Sequence, residues 1–125
     1  MLLIKCMTAH LVLNELMEKE MDYKSAHSIM MLVRALKPHV EFYAAEEQKL
    51  VERYALRDGD GKIIFDGNSW TIADISLVPD YKREIGKLGS LEIEGFDMPV
   101  KVPFCPEIKP RQLEALEGFI EFGGE

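Results

Sequence analysis

Asp58-Gly59-Asp60-Gly61-Lys62 sets two carboxylates among glycines, the opening pattern of a loop that wraps calcium. Such a loop needs an oxygen ligand where Lys62 stands, a glycine where Ile63 stands and a bidentate glutamate where Ser69 stands, so the run reads as a plain turn. Cys6 and His10 are spaced to share one face of a helix, as two zinc ligands can, but no second close Cys/His pair completes a set. His27 and His39 are isolated. Ser25, His27 and Ser28 include the residue types of a nucleophile and its base, without the strained elbow that would present a serine. Glu46-Glu47, and Glu92 with Glu94, could exchange protons if desolvated, yet their spacing suits solvated faces. No catalytic residue, metal ligand or cofactor is therefore expected.

Nucleic acid is disfavoured as a partner. The chain carries 15 basic and 22 acidic residues, a formal net charge of −7, and such a field repels phosphate. Lys82, Arg83 and Lys87 lie close together but are interleaved with Asp80 and Glu84. Gly86-Lys87-Leu88-Gly89 has the G-x-x-G form with which some domains approach an RNA backbone. The strand and helix order around it is wrong for that role, and a helix stop at Gly89 accounts for the glycine. Neither a phosphate-cradling loop nor a dinucleotide fingerprint occurs.

The elements that would position these groups are those of a single α+β domain covering residues 1–125, long enough to bury a core without disulfides or metal. Residues 1–7, apolar apart from Lys5, suit a short buried strand, after which Thr8 caps a helix over residues 9–20. Ala26, Ile29, Met30, Val33, Leu36, Val40, Tyr43, Leu50, Val51 and Tyr54 recur at threes and fours, predicting a long helix from Tyr23 to Tyr54. Pro38 interrupts it in phase, predicting a kink or two abutting helices, with the first helix folded back as an elongated hairpin.

Beyond the Asp58 turn, residues 62–65 and 70–73 flank a second turn at Asp66-Gly67-Asn68-Ser69 and predict a β-hairpin. Pro79 opens a short helix that Gly89 ends. Residues 91–94 and 100–102 read as half-exposed strands of a small antiparallel sheet. Pro110 opens a C-terminal helix reaching Gly123-Gly124, with Leu113, Leu116 and Ile120 on one face and Glu114, Glu117 and Glu121 on another. Cys6 and Cys105 would meet only if the first and last segments pack together, and a reduced, buried pair is expected. Neither a secretory signal nor a run of about 18 apolar residues is present, so a cytoplasmic protein without a membrane span is expected.

The order of several features resembles a loose family of small proteins encoded by tailed phages and prophages of Gram-positive bacteria. The resemblance runs through Tyr23-Lys24-Ser25-Ala26, Glu46-Glu47-Gln48-Lys49-Leu50 up to Tyr54, and the Asp58-Gly59-Asp60-Gly61 turn. It continues through Leu91-Glu92-Ile93-Glu94, Ile108-Lys109-Pro110, Leu113-Glu114-Ala115-Leu116 and Phe119-Ile120-Glu121. It implies a phage accessory or assembly factor, in the host cytoplasm, that works by binding protein.

A non-enzymatic interaction protein is the leading expectation, with a protein partner or self-association through the long helices. An acidic inhibitor is the alternative, presenting Glu114, Glu117 and Glu121 to the nucleic-acid groove of a host protein. A small hydrolase is the third. Of the seven methionines, Met17, Met30 and Met31 are expected to fill gaps in the core.

Overall fold

The computed structural model describes residues 1–96, 98–103 and 107–123. Leu3, Cys6, Ala9, Leu13 and Leu16 recur at threes and fours, and all five are fully buried. The chain start is accordingly helical: α1 spans Leu3–Leu16. The strand expected over residues 1–7 is corrected by this, because a seven-residue apolar window does not separate the two periods whereas the continuation through Leu16 does. Extended backbone survives only at its edge. Leu2 bridges Glu92 antiparallel, the Leu3 amide donates to the Leu91 carbonyl at 2.8 Å, and the Ile93 amide donates to the Met1 carbonyl at 2.8 Å. Thr8 is not a cap; its hydroxyl donates to the Ile4 carbonyl one turn back, at 3.1 Å.

Helix α2 runs Tyr23–Tyr54, 32 residues unbroken across the exposed Pro38, or about 48 Å at about 1.5 Å per residue. Its buried stripe comprises Ile29, Leu32, Leu36, Tyr43, Leu50, Val51 and Tyr54; the first three pack with α1 and the C-terminal part of the chain, and Tyr43 with Leu3 of α1 and with Leu88. The Asp22 carboxylate starts it by accepting the Ser25 amide at 3.1 Å. Hydrogen bonds from Ser25, side chain first and amide second, hold the Asp22 carboxyl below its ordinary value of 3.8. A depressed carboxyl stabilises the fold above that ordinary value, and the contribution vanishes as pH falls through the lowered one. Asp22→Asn keeps the capping oxygen and cannot titrate. Thermal melts between about pH 6 and about pH 2 should therefore show near-equal stability at the upper end and a shallower acid loss for the variant; parallel curves would contradict this role.

Past α2, the chain doubles back on itself. Asp58 accepts the amides of Asp60 and Lys62 at 2.9 and 3.0 Å, so its carboxylate is spent closing the turn, and Gly61 takes φ +80°. Strands β1 (Phe65–Asp66) and β2 (Ser69–Trp70) pair antiparallel with Asp66 opposite Ser69, leaving a two-residue loop. Gly67 has φ +64° and Asn68 does not share it, the sign pattern of a type II′ turn. Bridges Ala55–Ile72 and Arg57–Ile63 fasten both arms to the end of α2. Helix α3, Val78–Gly89, follows with Pro79 in its first turn, and edge-to-face contacts link Tyr54 to Tyr81 and Tyr81 to Trp70 at 5.8 and 5.2 Å.

The α+β architecture, with its long helical hairpin and a C-terminal helix, is as the residue pattern predicts, but its strands lie in two separate pairs. Strand β3 (Val100–Val102) runs parallel, not antiparallel, to β4 (Ile120–Phe122), with Val100 opposite Ile120. A parallel pair needs a crossover, and α4 (Pro110–Ala115) lies within it. This helix is only six residues long, since the chain turns at Gly118, φ +87°, well before Gly123. Ile120 therefore lies on a strand and not on the helical face expected of it. Residues 91–94 contribute the single Glu92 bridge and no strand. The core gathers Leu13 and Leu16 of α1, Ile29 and Leu36 of α2, and Val102, Leu116 and Phe119 from the C-terminal part. No helix among the described residues is long and apolar enough to cross a membrane.

Candidate functional site

Cys6 is fully buried and unpaired, and desolvation pushes its thiol above the ordinary 9.0. Its expected partner, Cys105, lies outside the described residues. A thiol so placed reacts only when the helices open. In a Cys105→Ser variant, labelling of Cys6 should run at least about a thousandfold slower in native buffer than in denaturant, given typical stabilities. Equal rates would show that α1 is not docked.

The remaining polar candidates are dispersed. His10 sits half-buried with Nδ1 3.2 Å from the Asn14 amide nitrogen, His27 is exposed on α2, and His39 stacks edge-on against Phe96 at 5.8 Å. Among the described residues no three His, Cys, Asp or Glu side chains converge as a metal site would require. Desolvation, with the Glu47 charge adding to it, pushes the phenols of Tyr43 on α2 and Tyr81 on α3 above their ordinary 10.0. They remain protonated there, as packing groups.

Glu114, Glu117 and Glu121 are all exposed, but they do not form one helical row. Helix α4 ends at Ala115, so Glu114 is on the helix, Glu117 in the turn and Glu121 on β4, in register with Lys101 of β3. Glu114 and Glu117 border a groove of about 590 Å³ against α1, where Lys5 and Arg111 stand among them. A second groove, about 330 Å³, lies between α2 and α3; Phe42, Leu88 and Leu91 line it beside Glu46, which pairs with Lys49 at 3.0 Å.

A third groove, about 350 Å³, separates the first half of α2 from the segment leading into β3. Met31, 49% exposed, forms one wall and Met98, 83% exposed, the other, over a floor of Leu32 and Phe119. Two of the three methionines expected in the core are instead at the surface: Met17, just past the end of α1, and Met31 here, because the buried stripe of α2 passes through Ile29, Leu32 and Leu36. Met31 lies off that stripe, and this was the available signal. That Met98 would face it depends on a tertiary contact between distant parts of the chain.

Comparison with known protein families, characterised proteins and solved structures finds no match.

Proposed function

We propose that this chain works by binding another protein, without chemistry of its own, as an accessory or assembly factor in a phage or prophage setting. The observation that carries the reading is the contiguous apolar groove walled by Met31 and Met98, left open in a surface otherwise rich in charge. Apolar surface gathered in one groove gains free energy when a partner covers it, and Met31 and Met98 bring such surface together there. The setting rests on the resemblance of the residue order to small phage proteins. The acidic-inhibitor alternative draws on the exposure of Glu114, Glu117 and Glu121 alone, and Lys5 and Arg111 dilute that charge.

Crosslinking inside the host cell followed by gel filtration tests the reading. The chain should elute in a complex well above its own 14.3 kDa, with one protein present in fixed ratio to it. Elution as free chain at every stage of growth would sink the proposal.

A further inference from the structure

Helix α2 is apolar on two faces. One is the buried stripe through Ile29, Leu36, Leu50 and Tyr54. The other comprises Met31, Ala35, Pro38, Phe42 and Ala45, every one of them exposed, Met31 by 49% and Phe42 by 47%. These five are spaced by four, three, four and three residues, and the polar Ser28 and Lys49 end the run on either side. At about 100° per residue they fall within an arc of about 80°, on the side of the helix away from the buried stripe. A helix packed on one core needs one apolar face. A second face with a period of 3.5 residues has the spacing of a seam between two helices, which stay in contact by alternate steps of three and four. The occupant that this stripe fits is therefore a helix.

Charge indicates which helix. From Tyr23 to Pro38, α2 carries Lys24, Arg34 and Lys37 and no acid, whereas from His39 to Tyr54 it carries Glu41, Glu46, Glu47 and Glu52 against Lys49 and Arg53. The first half is thus formally +3 and the second −2, and Pro38 stands at the join, in the middle of the exposed stripe. A second α2 laid antiparallel on the first brings each half against its opposite, while a parallel one sets like against like.

We propose that the exposed stripe of α2 is the seam of an antiparallel homodimer, closed by a two-fold axis near Pro38. The patch is self-complementary, as such an axis requires. Phe42 comes beside Met31 of the second copy, a ring against a polarizable thioether, and the small Ala35 and Pro38 between them let the two backbones approach. Arg34 and Glu41 flank the stripe on one side, nearly equidistant from the axis, so each Arg34 meets Glu41 of the other copy. Within one chain Arg34 makes no ion pair among the described residues, and Glu41 has only Lys37, at 4.0 Å. From Met31 to Ala45 the seam extends about 21 Å, at about 1.5 Å per residue, which places it with the small interfaces that dissociate on dilution.

The dimer does not rest on the reading of a separate protein partner, and the purified full chain alone tests it. Sedimentation equilibrium should show 14.3 kDa at about 1 μM, rising toward twice that mass as the concentration approaches about 1 mM. Phe42→Glu and Met31→Glu should each hold the chain at the single mass, with helix content verified by circular dichroism; Ala26→Glu, exposed but off the stripe, should leave the dimer intact. Should one of the seam variants lose helix, the other carries the test. Arg34→Glu and Glu41→Arg should each weaken self-association about tenfold, since two contacts turn repulsive at once. The double variant should regain the parent's constant, because these positions lie two turns apart and close a pair only between copies. A single mass at every concentration, or a dimer that survives Phe42→Glu, would overturn the seam. A dimer lost with Phe42→Glu but indifferent to both charge reversals would overturn the antiparallel order. Phe42 does not line the groove walled by Met31 and Met98, so its variant leaves the partner-binding reading to the host-cell crosslinking experiment.

Discussion

Phe119→Ala is expected to cost about 3–5 kcal/mol, the range for deleting a buried aromatic ring, and to lower the melting temperature by about 12–20 °C. Phe119 is 2% exposed, stacks edge-on against Phe96 at 5.8 Å and belongs to the same apolar cluster as Leu13, Leu36 and Val102. It therefore joins the C-terminal part of the chain to both long helices. A domain of this size has about 5–15 kcal/mol in total, so the variant should be partly unfolded at the lower end of that range. Leu113→Ala is the control. Leu113 is 50% exposed on α4, and its loss should cost less than about 1 kcal/mol. Equal effects in urea denaturation would mean that α4 and β4 do not close the core as described.

Pro38→Ala should act in the opposite direction. Proline inside a helix is about 3 kcal/mol worse than alanine, since it lacks the amide that would bond the Arg34 carbonyl and its ring crowds the preceding turn. Against this, proline restricts the unfolded chain, which returns about 0.4–1 kcal/mol. Pro38 is exposed, so its ring fills no space in the core, while Leu36 and Tyr43 anchor the helix on either side. The expected outcome is a gain of about 2 kcal/mol, seen as a rise of about 8 °C in the melting temperature. A loss of stability instead would show that the path of α2 near Pro38 is shaped to its packing partners.

The long helix was legible from residue types because its apolar period persists over many turns and stops at a run of aspartate and glycine. The hairpin around Gly67, though not its turn type, and the proline-initiated α3 were legible for local reasons too, each depending on backbone preferences within a few residues. What escaped depended on distance. Residues 1–7 are apolar enough for either element, and only the period carried on through Ala9, Leu13 and Leu16 favours helix. The parallel pairing of Val100–Val102 with Ile120–Phe122 joins segments about twenty residues apart through a crossover, information that no local pattern holds. Gly118 and Gly123 were both available as the end of the last helix, and the nearer one acts. The candidate site was half legible: the acid-free first half of α2 can be read directly, but the second wall of its groove comes from Met98.

The closure of the core by Phe119 and Val102 also orders events on the ribosome. At about 5–20 residues per second, the ninety residues separating Ile29 from Phe119 take about 5–18 s to emerge. For that interval the nascent helical pair displays Leu13, Leu16 and Leu36 without the segments that will finally cover them. Vectorial synthesis thus leaves the growing chain dependent on quick completion, or on a holding chaperone, before it can bury its own interior.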